Sequence, residues 1–531
     1  MSTTDRGLGN SGVFTRASSG LVRSVGTLDT AFYGMMQIGI PYVIFIIAAW
    51  VSYPGSSMEL ATAITIVGSV CLGITYALYS AVYPRSGGEY VFLSRTIHPA
   101  YGFVVSFMQV FWQAFYFGVT GAFWAIYGWA PLFTTLGLLT KSSALTNIGT
   151  FFGSNWGIFL SGLVMVLVIG TLLFRGAKIY FTFQRWCVWI ALGSIALLIV
   201  VLALTAAGVF NFKANFDALA GAGAYQHVIS TAQSAGTNLN PAFSFGSTMN
   251  FLIWPAFSIL FAINSVSFSG EIKNVRRGQL IGITAAMVWA GVILIALMFF
   301  VRIAVGDQFL LASSSIGSKF PLPIAPWINL LASIATNNPV LTILMNLYVL
   351  LLIPYAGGAG ALYSSRALMA WGLDGVAPER VSRVSDRFHS PSVAIIVAVV
   401  IALIALTIYA FTTLLVTLSG LIGFAVAFCL TALAAIVFPM LKRDAYEGSP
   451  AAMKVFGVPL LAASAVVASV TLIWVIYRAF VDSAFGANTA FSIWLNAGVI
   501  VAAVAWYLVA RAYRASQGVD VAARYKEIPV E

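Results

Sequence analysis

Twelve stretches of this chain are apolar for long enough to cross a bilayer, which takes about 20 residues. They run over residues 30–52, 58–83, 99–130, 156–174, 179–209, 248–269, 279–303, 339–365, 392–411, 413–440, 457–480 and 489–510. Only a minimal turn, Tyr409–Thr413, separates the ninth from the tenth. Barrel strands are short alternating segments, so continuous runs of this kind exclude a β-barrel. Only 8% of the 531 residues are charged, against about 25% in a soluble domain. A water-soluble multidomain protein and a disordered chain are thereby excluded. Cys71, Cys187 and Cys429 each fall inside an apolar run, which gives neither a disulfide framework nor a metal pattern. Residues 1–28 are polar and lack the apolar core of a cleaved signal peptide.

Basic residues orient these spans. With a cytoplasmic N-terminus, 22 of the 27 Lys and Arg fall in cytoplasmic segments; the others are Lys141, Lys213, Arg302, Lys319 and Arg478. Such asymmetry is the positive-inside pattern, and it predicts that both tails are cytoplasmic. The net charge of +11 is therefore spread over short loops, and no nucleic-acid-binding face is expected.

The span interiors read as free of Asp, Glu, Lys and Arg, and His98, His227 and His389 all fall in loops. Proteolysis, metal catalysis or haem ligation inside a membrane needs ionisable or ligating groups at depth. No GxSxG or HExxH motif occurs. These observations argue against an enzyme, and no catalytic or metal-binding residue is assigned.

Organisation points elsewhere. Residues 30–209 hold five spans and residues 248–440 hold five more, divided by an external loop at 210–247. Spans 11 and 12 follow within 441–510, between cytoplasmic tails at 1–29 and 511–531. Because five is odd, the two halves must have opposite orientation. In such inverted repeats the binding site lies at mid-membrane, where the first helix of each half is broken. Span 1 contains Gly34, Gln37, Gly39 and Pro41; span 6 contains Trp254-Pro255 and then Asn264-Ser265-Val266-Ser267. Proline removes a backbone donor and clashes one turn back. Amide and hydroxyl side chains can satisfy backbone groups that a break frees.

Three loops carry a family resemblance. Pro84-Arg85-Ser86-Gly87-Gly88-Glu89-Tyr90 follows span 2, with Arg95 beyond it. Gly270-Glu271-Ile272-Lys273-Asn274 follows span 6, with Arg276-Arg277 beyond it. Ser365-Arg366 and Gly372-Leu373-Asp374-Gly375-Val376-Ala377-Pro378 follow span 8. In this order and spacing the chain resembles permeases of the amino acid–polyamine–organocation superfamily. The resemblance implies an all-α integral membrane protein of about 12 helices, with the leucine-transporter-type fold of two inverted five-helix repeats. It further implies a secondary transporter moving amino acids or related zwitterions across the plasma membrane by alternating access. A polyamine or organic-cation exchanger, or a receptor built on the same fold, is the alternative.

The resemblance places the substrate between the two breaks. Gln37, Gly39, Ile40 and Pro41 would form one side, and Phe261, Ala262, Asn264 and Ser265 the other. Gln113 and Tyr116, with Phe115, would add a polar partner and an aromatic wall from span 3. No formal charge is available there, which favours a zwitterionic or neutral substrate. Where the family commonly has Gly-Ser-Gly in span 1, this chain has Gly39-Ile40-Pro41; Ala262-Ile263-Asn264-Ser265 replaces the Gly-aromatic break, and Val275 the usual Pro. Gating falls to Arg85, Gly87, Gly88, Glu89, Glu271, Lys273 and Trp254. In this reading Arg85 and Arg95 pair with Glu89, and Lys273, Arg276 and Arg277 with Glu271.

No cofactor is expected. Trp186–Ser194 lacks the span 5 lysine of some proton-driven relatives, leaving Glu89 or Glu271 as proton carriers. Sodium would need oxygen ligands, for which Ser364 and Ser365 are weak candidates; it ranks below proton coupling or plain exchange. The composition of 210–247, rich in Ala, Gly and Asn, suggests a flexible connection, and 304–338 resembles an external lid. No Asn-x-Ser/Thr sequon occurs, consistent with a prokaryotic membrane. The sequence carries no signal for oligomeric state.

Overall fold

The computed structural model describes residues 20–413 and 419–518, together with residues 521 and 525. Among these, 12 helices are long and apolar enough to cross a membrane. Spans 1 to 6 are Thr27–Ser52, Met58–Val82, Pro99–Thr140, Asn155–Phe174, Ala177–Ala206 and Phe245–Ser267. Spans 7 to 12 are Val275–Val305, Pro339–Asp374, Ser392–Phe411, Gly420–Leu441, Leu460–Val481 and Ala490–Ser516. An even number of alternating spans brings the start of span 1 and the end of span 12 to one face of the bundle, here termed the tail face.

Spans 3 and 8 run furthest past their expected ends. Span 3 continues to Thr140 through a π-helical turn at Trp124–Trp129. Span 8 continues about two and a half turns past the expected end, because Arg366 and Asp374 on those turns are buried by polar partners and not by lipid. The minimal turn after span 9 begins at Thr412; most of the connection, 414–418, lies outside the described residues. Two expectations need correction. Charge does occur within spans: Arg185, already inside the 179–209 run, sits two turns into span 5 and holds Asp29 of span 1 at 2.7 Å. The 210–247 loop is no loose connection, since it forms helices Phe212–Ala220 and Ala224–Ser234. Their apolar side chains bury Phe212, Phe216 and Val228, and Tyr225 stacks on Phe309 at 4.6 Å.

Spans 1 and 6 occupy the centre. Their most apolar windows are each 78% buried, against 22% for span 12. Small residues allow this approach: a Cβ on Gly34 of span 1 would lie 3.4 Å from Ala262 of span 6 and 2.7 Å from Ala286 of span 7. Close backbone approach through Gly and Ala is how helices associate in lipid, where no hydrophobic force separates protein from solvent.

Candidate functional site

Span 1 is helical to Gln37, leaves the helix at Ile38 (ψ 112°) and Gly39 (ψ 60°), and resumes as a short 3-10 turn at Ile40–Tyr42. Pro41 has its ring at the start of the resumed helix, where its missing N–H costs nothing. The Tyr42 ring lies directly on Gly39, a place no Cβ could share. Span 6 departs from α-helix at the same depth but differently. It is α-helical to Ile259 and tightens into a 3-10 helix over Leu260–Ser267, so the expected unwound break is a change of helix type.

The two departures hold each other. Gly39 donates its N–H to the Ser258 carbonyl, and the Ser258 hydroxyl donates to the Gly39 carbonyl, each at 3.3 Å. The Asn264 carboxamide donates Nδ2–H to Gln37 Oε1 at 3.0 Å. Gln279 of span 7 supports the 3-10 stretch, donating to the Ser265 carbonyl (3.0 Å) and Ser269 hydroxyl (3.1 Å) and accepting from the Ser265 hydroxyl (2.6 Å).

Several polar atoms around the breaks are buried and unmatched: Gln37 Nε2, Asn264 Oδ1, Gln113 Nε2 and the Tyr42 hydroxyl. An unpaired buried amide costs about 1–3 kcal/mol. The set offers two amide donors, an amide acceptor and a hydroxyl. Gln113 packs against Gly360 of span 8, and the adjacent Ala359 carbonyl accepts from Tyr33, one turn below Gln37. Phe261 and Tyr116 meet through a third ring, Phe424 of span 10, at 4.9 and 5.7 Å. Ile40, Ala262 and Ser265 are also buried at this level.

Towards the far face, Trp327 of the 304–338 segment meets Tyr127 at 5.4 Å. They bound a cavity of about 10 Å³ that Pro41, Asn329 and Asn346 also line, space for roughly one water. Trp254 does not reach the breaks. Its indole donates to the Tyr53 hydroxyl at 3.2 Å, and Tyr53 donates to Asp482 at 2.8 Å, tying span 6 to the residues that follow spans 1 and 11.

The tail face is closed by a buried polar network whose pairing departs from expectation. Arg95 bonds Asp374 (2.7 Å) and Arg366 bonds Glu271 (2.8 Å); neither Arg95 nor Arg85 pairs with Glu89 in these bonds. Lys273, Arg276 and Arg277 are exposed to solvent instead of facing Glu271. The reason is geometric: span 8 extends inward far enough to present Arg366 and Asp374, and these outcompete residues that stay hydrated. Burial alone would lower the Arg95 pKa, but the Asp374 carboxylate overrides it and holds the group above its ordinary value. Gly87 and Gly88 take positive φ (122° and 59°), the region glycine tolerates best. This turn lets Gly87 donate to the Ser267 carbonyl at 2.8 Å and brings Gly88 against Tyr363. Glu89 is fully buried, accepting from Tyr363 and from Gln109 (3.4 Å) with the Tyr76 hydroxyl facing it. Burial pushes its carboxyl above the ordinary value, and the Tyr363 bond only partly counteracts this.

Ser364 donates to the Gly360 carbonyl (2.9 Å), and Ser365 donates to Leu362 (2.9 Å) while accepting from Arg366 (3.2 Å). A guanidinium beside Ser365 disfavours a cation there. Sequence reasoning missed Gln279, Phe424, Tyr363 and the role of Arg366. A glutamine in an otherwise apolar run was the available signal for Gln279; nothing local marks Phe424 among 39 phenylalanines.

Residues 27–506 match the family described as amino acid permease. No curated protein sequence matches the chain at a significant level.

Proposed function

Because this chain belongs to the amino acid permease family, a family of transporters and not enzymes, we propose that it moves neutral, zwitterionic amino acids by alternating access. One observation carries the substrate class: the paired amides Gln37 and Asn264 keep a free donor and a free acceptor at the junction of two interrupted helices. Neither 37–42 nor 260–267 contains Asp, Glu, Lys or Arg. A carboxylate would take amide donors and the positive end of a half-helix, and an ammonium would take amide and carbonyl oxygens. A polyamine would instead require carboxylates to offset two or more charges.

Residues 30–209 and 248–440 are read as inverted repeats rocking about this junction, spans 1 and 6 being the first of each. The closed far face at Trp327–Tyr127 and the closed tail face around Glu271–Arg366 are the two gates. The tail face is read as cytoplasmic and the membrane as the plasma membrane of a prokaryote. Proton coupling is favoured over sodium because Ser364 and Ser365 are engaged by helix carbonyls and Arg366.

Counterflow in proteoliposomes tests the substrate class with leucine, alanine, glutamate, arginine and putrescine side by side. Exchange of the neutral amino acids is expected. Movement of putrescine without them would replace this reading with the organic-cation one.

A further inference from the structure

Four acidic side chains are buried at the tail face, and they are not equivalent. Asp29 is held by Arg185 at 2.7 Å. Glu271 receives two nitrogens of Arg366, and Asp374 receives Arg95. Glu89 has no cationic partner among the described residues; its carboxyl oxygens accept from Tyr363 and Gln109, both neutral donors. A lone buried charge carries a desolvation cost of several kcal/mol. Such a group commonly resolves the cost by taking a proton.

We propose that Glu89 is the residue on which this transporter carries its coupling proton. The inference rests on the transport reading above and names the group that does the coupling. Position supports it as much as burial does. Glu89 opens the short helix Glu89–Thr96 directly after the Gly87-Gly88 turn. That turn is bonded to the end of span 6 through Ser267, and Ser86 bridges Phe268. The carboxyl therefore sits at a joint between the loop of the first half and spans 6 and 8 of the second.

The elements around the joint present neutral groups to the carboxyl or to the residues beside it. Span 2 presents Tyr76, span 8 Tyr363 and span 1 Tyr33, all phenols that are ordinarily neutral at pH 7. Span 3 presents Gln109, the end of span 6 brings Ser267, and Thr431 of span 10 lies against Tyr76. On its own helix, Arg95 is engaged by Asp374. The nearby Arg366 is matched by Glu271.

The chemistry balances simply. In the closed tail face the carboxylate takes one proton and becomes a neutral acid whose O–H can donate to a neighbouring hydroxyl. Opening that face admits water, the pKa falls back towards about 4.3, and the proton leaves to the solvent. The sign follows. The closed form binds more protons than the open one, so low pH stabilises closure, and that preference is lost as pH rises through the raised pKa.

Two readouts test this on the full-length protein. In proteoliposomes, leucine uptake is measured with and without an acid-outside gradient, alongside counterflow. Wild type should gain several-fold from the gradient, and Glu89→Gln should bring that ratio to unity. In pH-difference infrared spectra, the carbonyl stretch of a protonated carboxyl should be present in wild type and missing from Glu89→Gln. Should that variant not fold, Tyr363→Phe serves: losing a donor to the anion should move the midpoint of the band to higher pH. A band that survives Glu89→Gln, a midpoint unmoved by Tyr363→Phe, or gradient stimulation retained without Glu89 overturns the proposal. Absence of leucine counterflow in wild type would sink the substrate reading alone, because the infrared band still decides Glu89.

Discussion

Arg366 holds Glu271 through two nitrogens, Nε at 2.8 Å and Nη2 at 3.1 Å, with both side chains at most 2% exposed. The pair joins the end of span 6 to the inner part of span 8, the elements that must separate if the tail face opens. Removing one member of a buried pair strands the other, at about 3–5 kcal/mol. Arg366→Leu should therefore lower the thermal unfolding midpoint sharply in detergent. Adding Glu271→Gln to it should recover part of the loss, because no bare charge remains. A double variant no more stable than Arg366→Leu would mean the pair acts through packing and not through charge.

The Gln37–Asn264 bond predicts a different signature. Asn264→Leu removes the donor to Gln37 and the free oxygen together, so substrate-induced thermal stabilisation should disappear. The unliganded midpoint should fall only modestly, by the loss of one hydrogen bond worth about 1 kcal/mol. Gln37→Leu should do the same, and the two changes should be coupled by about 0.5–3 kcal/mol in a double-mutant cycle. Ser267→Ala, which touches neither amide, is the milder control. A full ligand shift in Asn264→Leu would remove Asn264 from the site.

Trp327 and Tyr127 close the far face over a cavity that Ile44 also lines. Trp327→Ala removes the larger ring. Thiol reagents added from that side should then label Ile44→Cys faster than in the Trp327 background. Equal rates would show that another element bars the route.

Orientation is testable at exposed positions. Ser318 and Asp386 are both solvent-accessible and lie on opposite faces of the bundle. With the tail face cytoplasmic, an impermeant thiol reagent outside intact cells should modify Ser318→Cys and spare Asp386→Cys. The opposite pattern would invert the topology and exchange the two gates.

The Gly87-Gly88 turn should resist substitution. An alanine at Gly87 would adopt a φ costing about 1–2 kcal/mol and place its Cβ 2.7 Å from that of Ala370. Loss of the Gly87 to Ser267 bond should leave the tail face more open, read as faster labelling of Lys273-side residues buried at the joint, such as Ser269→Cys. Unchanged labelling would show that the turn does not hold the gate.

Much of the architecture was readable from the chain alone because its causes are local. Each span announces itself by length and hydropathy, and the interruptions in spans 1 and 6 follow from Gly39-Ile40-Pro41 and from amide and hydroxyl residues within about two turns. Glu89 and Glu271 could likewise be singled out, because each sits in one of the loop motifs that carry the family resemblance. Their partners could not. Glu271 meets Arg366 across 95 residues, and Arg95 meets Asp374 across 279, whereas the sequence offered Lys273, Arg276 and Arg277 as nearer mates for Glu271. A charge buried with a distant partner outcompetes a close neighbour that water already solvates, and only the packing of span 8 against spans 3 and 6 decides which of them is buried. The same holds for Glu89: its sequence neighbours are arginines, yet the fold turns it inward to a tyrosine and a glutamine, and that burial pushes its carboxyl pKa up.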